Sequence, residues 1–389
     1  MPINQIIRDP KSLELAQKNI DAGDPDTLAQ LENLRAAAED TLRKEPMTIV
    51  NKALTPPSGD KHDYMSVGPY WWPNPDTADG FPYVVRDGEK NPEADRTDRP
   101  IMRDAVESVE ILSTAWLFLK EPRYSEHAGL ILRTFFLDAT TRMNPNLNFG
   151  QAIPGKCDGR DIGIIESRIF ALSLVDSLLL LKGAPGVNED DIHGMKTWIA
   201  DFLDWLLTSP NGIGESSKRN NHGTAYDVQI AALALYVGEV DLARKTLCEA
   251  RERRIKPQLE PDGSQPHELG RTRALSYSTM NLRLYCALAQ MGDKQGIDLW
   301  NYRDEEGRNI RAAFDFLIPF WLQQKELPYA QITPFDYTHA ERLLRMAAGA
   351  YAATEYEAAA EQVNRFTDYQ NPGEPEPSWP LLLHPRRYR

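Results

Sequence analysis

Long apolar runs are missing from this sequence. No window of its 389 residues approaches the roughly 18 consecutive apolar residues of a membrane-spanning helix. The nearest, Ile169 to Leu181, contains Ser173, Asp176 and Ser177 and reads as a buried core helix. Cysteine is scarce. Cys157, Cys248 and Cys286 are odd in number, widely spaced and without a CxxC pair, so neither a disulfide framework nor a zinc spacing is expected, and at most one bridge. Cys248 and Cys286 fall in helical patterns and are expected as buried thiols; Cys157 falls in a loop. Positive charge is in deficit: 44 Lys and Arg against 57 Asp and Glu give a net charge of −13. That argues against nucleic acid as a partner, which requires a basic face. A polyanionic substrate is not excluded, because a cleft with a few arginines is locally positive on an acidic protein. Met1 to Asp9 lack the basic and apolar regions of a signal peptide. The expectation is a secreted or periplasmic protein whose leader has been removed, with a cytoplasmic protein as the other reading. HExxH, GxSxG, GxxxxGK[ST] and a GxGxxG following a strand are all missing. No repeat of fixed length is visible, which argues against arrays of the TPR or HEAT type.

Helical periodicity dominates what remains. Apolar residues recur at helical spacing over Lys11 to Ala22, Asp26 to Arg43, Arg103 to Leu119, Ser125 to Leu137, Ile164 to Leu181 and Asp190 to Leu207. The pattern continues over Ala225 to Val237, Val240 to Arg253, Thr272 to Gln290, Asn309 to Phe320 and Thr338 to Thr354. Strand-like alternation is nearly absent. The class is therefore all-α, with about a dozen helices by this periodicity and mostly short connections that favour antiparallel neighbours. An incomplete α/α toroid of antiparallel helix pairs fits length and pattern, as a single domain over residues 1–389; a generic helical bundle array is the alternative. Two segments break the pattern. Pro56 to Pro100 is long, rich in Pro, Gly and Asp, and holds Tyr64, Tyr70, Trp71, Trp72, Phe81 and Tyr83; a long irregular segment in a compact domain is usually functional or disordered, and aromatics argue against disorder. It is expected to line a cleft. Asn371 to Arg389, with five prolines and Trp379, reads as a C-terminal strap.

Four clusters carry candidate chemistry. Asn220-Asn221-His222-Gly223 sets an amide and an imidazole before a helix; the pair suits carboxylate binding and proton movement, while the alternative is an Asn cap with a loop histidine, the commoner case on spacing alone. In Asp262 to Tyr277 a turn leads to Arg271, Arg273 and Tyr277. Arg273 and Tyr277 share a helix face, whereas Arg271 lies in the loop if the helix starts at Thr272. The alternative is exposed arginines beside a core tyrosine. In Lys61 to Pro75, Tyr64, Tyr70, Trp71 and Trp72 either stack on sugar rings or plug the core, and the sequence favours neither. Gly150 to Arg160 is a glycine-rich turn ending in basic residues, with Gln151 and Arg160 as candidate contacts. His62 with Asp63 is too thin for a metal site, and no metal or other cofactor is expected.

The blocks KHDYMSVGPYWWPNP, DGFPYVVRDGEKNPE, GQAIPGKCDGR, NNHGTAYDVQ and DGSQPHELGRTRALSYS, in this order, resemble the alginate-lyase superfamily of polysaccharide lyases. They cover roughly Lys61 to Tyr285, more than half the chain. Individually they are weak; together they are specific. The resemblance implies an α/α toroid with an Asn-His pair, an arginine and a tyrosine facing one cleft, matched here by Asn221, His222, Arg271 and Tyr277. In better-known members the arginine lies one position further from the tyrosine than Arg271 does, which leaves Arg271 as first choice and Arg273 as second. The implied partner is an acidic polysaccharide, alginate or polymannuronate first and glucuronan next, with Tyr64, Tyr70, Trp71, Trp72, Gln151, Arg160, Asn220 and Arg273 as substrate contacts.

β-Elimination on a uronate requires neutralisation of the substrate carboxylate, a base for H5 and an acid for O4. Asn221 and Arg271 suit the first. His222 offers an imidazole, a side chain suited to proton transfer, and Tyr277 carries a transferable proton. When H5 and O4 share a ring face, Tyr277 serves as base and acid in turn; when they do not, His222 is the base and Tyr277 the acid. Two other classes remain open. A toroid glycoside hydrolase would need two carboxylates flanking the bond, for which Glu166, Glu268 and Asp227 are available but unmarked by spacing. A non-catalytic glycan-binding protein would show no turnover.

Overall fold

The computed structural model describes residues 5–366 and 379–387. It is 62% helical with few strands, as the periodicity predicts. The described helices are α1 (Pro10–Asp21), α2 (Pro25–Leu42), α3 (Asp98–Leu119), α4 (Pro122–Leu132), α5 (Val175–Leu181), α6 (Glu189–Thr208), α7 (Pro210–Ser216) and α8 (Asn221–Val237). They continue with α9 (Val240–Ala250), α10 (Lys256–Gln258), α11 (Pro266–Leu269), α12 (Ala274–Lys294), α13 (Ile310–Trp321), α14 (Tyr337–Tyr351), α15 (Thr354–Val363) and α16 (Pro380–Leu383). Connections of two residues join α3 to α4 and α14 to α15, and each pair packs together. Such links reverse the chain. Both begin with a non-glycine residue in the left-handed region, Lys120 at φ 58° and Ala352 at φ 49°.

The chain divides into two compact units. Unit 1 comprises Met1–Arg35, Arg219–Ala231 and Asp241–Arg389; unit 2 comprises Ala36–Lys218 and Ala232–Val240. Unit 2 has an aromatic core in which Trp198 meets Phe136 at 4.8 Å and Phe170 at 5.5 Å between ring centroids, with Phe202 5.3 Å from Phe170. Edge-to-face packing of this kind adds to the area the rings bury. Unit 1 packs Phe314, Leu317 and Trp321 of α13 with Leu344 of α14 and Tyr356 of α15, all buried. Arg345, buried in α14, pairs with Glu341 at 2.9 Å, Glu357 at 2.5 Å and Glu361 at 3.0 Å, and so fastens α14 to α15.

Several boundaries depart from the periodicity. The stretch read as one helix over Ile164 to Leu181 is a 3₁₀ segment (Asp161–Ser167), a π turn (Phe170–Leu174) and α5. Further π turns, Arg133–Leu137 and Arg251–Ile255, extend α4 and α9. The stretch ending at Thr354 breaks at Ala352, and α7, α11, α15 and α16 were not read from the sequence. The aromatic segment forms β1 (Met65–Val67), β2 (Trp71–Trp72) and β3 (Val84–Val85). β1 pairs in parallel with β4 (Phe149–Ala152), and β2 pairs antiparallel with β3. Of the expected strap over 371–389, residues 371–378, 388 and 389 lie outside the described residues. Its remainder buries Trp379 and Leu381 to Leu383 and pairs Arg386 with Asp26 and Arg387 with Asp9, each at 2.6 Å. All three cysteines are unpaired, and Cys248 is exposed instead of buried: its side chain leaves α9 on the solvent face. Among the described residues no helix is long and apolar enough to cross a membrane.

Candidate active site

Asn221 begins α8, four residues earlier than the apolar pattern announces. Asn220 caps the helix, its Oδ1 accepting from the His222 N–H at 3.2 Å. The cap reading of this cluster therefore holds for Asn220, while His222 is the second residue of the helix and not a loop residue. His222 is half-buried. From 47 positions away Glu268 of α11 closes on the same turn. The Asn221 N–H donates to Glu268 Oε1 at 2.7 Å, and Asn221 Nδ2 donates to Oε2 at 2.6 Å. Glu268 is 1% exposed and Asn221 fully buried. Burial pushes the Glu268 carboxyl above the usual range; the two Asn221 bonds and the nearby charges of His222 and Arg271 oppose that push.

Directly after α11 the Arg271 N–H donates to the Glu268 carbonyl at 3.1 Å. This turn leaves Arg271 in the loop before α12. Its guanidinium lies over the Tyr277 ring, 4.1 Å from the centroid, and Nη2 donates to the Tyr277 hydroxyl at 3.1 Å. The structure thus gathers Asn221, His222, Arg271 and Tyr277 around one buried carboxylate in unit 1, an arrangement of imidazole, phenol and guanidinium able to move protons beside a fixed positive charge. Of the two arginines, Arg271 is the one that touches Tyr277. Arg273 precedes α12 and does not share a helix face with Tyr277; it bridges Gln331, and its Nε is buried without a hydrogen-bond partner. Asn221 was expected as a direct carboxylate ligand; here it faces Glu268. Its amide nitrogen is given to Glu268 and its side chain presents no surface, because α8 begins early and draws the residue inward.

Tyr64, Tyr70, Trp71, Trp72, Gln151 and Arg160, expected as substrate contacts, belong to unit 2. Trp71 is half-buried, with Lys156 Nζ 4.6 Å and the Arg160 guanidinium 5.6 Å from its ring. Gly68 makes this possible: a Cβ there would lie 2.6 Å from Trp71 Cδ1 and 2.8 Å from Arg160 Nη2. Trp72 carries Arg86 at 5.1 Å and donates to the Glu89 carbonyl at 2.9 Å. Tyr70 is half-buried. Neither tryptophan is a core plug. Two residues expected on the wall are instead interior. Tyr64 is fully buried and its hydroxyl donates to Glu166 at 2.8 Å. Gln151 is buried and accepts through Oε1 from Arg160 Nη2 at 2.9 Å; it holds Arg160 and is not itself presented.

The three carboxylates weighed for a hydrolase are all buried and internally engaged. Glu166 accepts from Tyr64 and Ser66, Asp227 is held by Arg254 at 2.7 and 2.8 Å, and Glu268 by Asn221. None is free to flank a glycosidic bond. Glu268 is the site residue that sequence reasoning missed as such, since nothing local announces a partner 47 positions away. Among the described residues no group of three His, Cys, Asp or Glu side chains is arranged to hold a metal ion.

Comparison with known proteins bears on the family and the fold. No curated protein matches the sequence. The family model described as alginate lyase matches residues 48–327. A crystallised alginate lyase from Bacteroides ovatus is 37% identical, with a TM-score of 0.91 over 98% of this chain and 99% of that one. Alginate lyase A1-III from Sphingomonas species A1 shares the fold at 17% identity, with a TM-score of 0.58 over 97% of each chain. A variant of A1-III complexed with a tetrasaccharide gives 0.62 at 15% identity, over 99% of this chain and 98% of that one. These neighbours carry the α/α toroid fold expected from the sequence. A family match across most of the length and a relative superposing almost end to end converge on one assignment: the chain belongs to the alginate lyase family of polysaccharide lyases.

Proposed function

We propose that the protein cleaves a polyuronate, alginate or polymannuronate first and glucuronan next, by β-elimination with Arg271, Tyr277 and His222 as the reacting constellation. The observation that carries this reading is the Arg271–Tyr277 pair, a guanidinium 4.1 Å above the phenol ring and 3.1 Å from its oxygen. A uronate carboxylate drawn to Arg271 arrives beside a proton-transfer group. Neutralising that carboxylate makes the C5 proton removable, because the charge that develops on the enolate-like intermediate meets a fixed cation. Where H5 and O4 share a face of the ring, Tyr277 entering as the phenolate beside the Arg271 guanidinium takes H5, and the phenol so formed returns that proton to O4. Where they do not, His222 takes H5 and Tyr277 protonates O4. Asn221 contributes by holding the first turn of α8.

The tetrasaccharide complex of A1-III supports an oligosaccharide as the kind of ligand, and Trp71 with Arg160 and Lys156 suits a chain that offers apolar ring faces and one carboxylate per sugar. The test is a panel of polymannuronate, polyguluronate and glucuronan, with initial rates followed by the ultraviolet absorbance of the unsaturated uronate end. Absorbing product from at least one polymer is the expected result. Saturated reducing ends without absorbance would establish hydrolysis and end the proposal.

A further inference from the structure

We infer that Glu268 is the positioning residue of this site, clamping the first turn of α8 with its side chain and Arg271 with its backbone so that His222 and the Arg271–Tyr277 pair face one reacting sugar. The inference rests on the polyuronate-lyase reading above and adds a residue to it.

Glu268 makes contacts in two directions. Its side chain takes both donors of Asn221, the backbone N–H at 2.7 Å and Nδ2 at 2.6 Å. Its carbonyl takes the N–H of Arg271 at 3.1 Å. α11 is itself anchored on the helix that bears Tyr277: Gln265 Nε2 donates to the Ser278 carbonyl at 3.0 Å, and Gln265 Oε1 accepts from Asn281 Nδ2 at 2.9 Å. One four-residue turn therefore registers α8 against α12.

The chemistry of the clamp is specific. Both Glu268 oxygens accept from N–H donors, the pattern that an ionised carboxylate satisfies. Burying a lone charge is unfavourable; here the charge sits on the N–H of the first residue of a 17-residue helix, where an otherwise unpaired donor and the positive end of the helix dipole both favour an anion. With Asn220 holding the His222 N–H, the first two N–H groups of α8 are fixed from opposite directions. The helix end that carries His222 then has no freedom to turn.

Glu268→Gln tests this. The amide keeps the size and one acceptor but turns an NH₂ toward the Nδ2 of Asn221, so the clamp opens on one side. A displacement of about 1 Å in a reacting group costs about 10²-fold in rate. The expected result on the best polyuronate is a fall in kcat of about 100-fold with KM within about threefold and the melting temperature within a few degrees. A purely structural role would instead lower the melting temperature and leave the kcat of the folded fraction unchanged. Unchanged kcat, or a raised KM at unchanged kcat, would overturn the inference. Should Glu268→Gln fail to fold, Glu268→Asp decides: it keeps the charge but is one methylene short of Asn221, and about a tenfold loss of kcat is expected, with wild-type kcat overturning the inference. If the wild-type enzyme turns over no polyuronate, the reading of the activity fails and this inference with it; if the wild type is active and the variants match it, the inference alone fails.

Discussion

Tyr277→Phe separates chemistry from packing with one atom. The ring stays, and with it the guanidinium stack at 4.1 Å; only the hydroxyl that accepts from Arg271 at 3.1 Å is removed. A partly buried hydrogen bond of this kind contributes about 0.5–1.5 kcal/mol. Against a total stability of about 5–15 kcal/mol, that leaves the protein folded. One kilocalorie per mole moves the melting temperature by about 2–4 °C in domains of 150–250 residues, so a shift of a few degrees is the most to expect. Loss of a general acid–base group costs about 10²–10⁴-fold in rate, which is about 2.7–5.5 kcal/mol of barrier at 1.36 kcal/mol per tenfold. The kinetic effect therefore exceeds the stability effect several-fold, and partial unfolding cannot imitate it. The assay is the initial rate of ultraviolet-absorbing product at saturating polymer, with circular dichroism melting on the same preparation. A kcat within about threefold of wild type would remove Tyr277 from the mechanism. Loss of helical dichroism would return it to the role of a core tyrosine.

Trp71→Ala is expected to raise KM about tenfold, equivalent to about 1.4 kcal/mol, with a smaller change in kcat, because ring stacking contributes to substrate and transition state alike; a sharply lowered melting temperature at unchanged KM would show a structural ring instead. Tyr64→Phe should do the opposite, lowering stability by about 1–3 kcal/mol through the buried Glu166 while kcat and KM of the folded enzyme stay as they were; a changed KM at unchanged stability would put Tyr64 back on the substrate wall. Activity should persist in a chelator, since Arg271 supplies the positive charge that a divalent cation would otherwise provide, and complete, metal-reversible inhibition would contradict that assignment.

The helical class and most helix centres were legible because each long helix buries one apolar stripe, and that stripe recurs every 3.6 residues. What escaped has local causes. The break after Tyr351 was invisible because the turning residue is Ala352 at φ 49°, where glycine would ordinarily announce the stop. α8 was read from Ala225 because Asn221 to Thr224 carry no apolar stripe; Glu268 and Asn220 start the helix there. The four candidate residues were legible as blocks in order, and the contact between Arg271 and Tyr277 was open as a choice between two arginines. Backbone favours Arg271: the turn Pro266–Leu269 ends two residues before it and keeps it out of the helix. Tyr64 and Gln151 were misplaced because an aromatic or amide in a loop carries no mark of the direction it faces, and here both point to buried partners.

The π turn at Arg251–Ile255 bears on how this family tolerates changes of length. A π turn is a helical turn holding one residue more than the α-helical pattern requires. Removing one residue there would restore ordinary winding and change the phase of the residues within the turn itself, where each α-helical residue turns roughly 100° about the axis. Arg254 lies within that turn, and its bidentate grip on Asp227 of α8, at 2.7 and 2.8 Å, depends on the present phase. A single-codon deletion at this place would swing Arg254 away and leave the buried Asp227 carboxylate with only the longer contact to Arg253 at 3.8 Å; removing one partner of a buried pair costs about 3–5 kcal/mol. Insertions and deletions are ordinarily absorbed by loops; between Arg251 and Ile255 the reading of the helix is locked, and functional relatives are expected to align there without a gap.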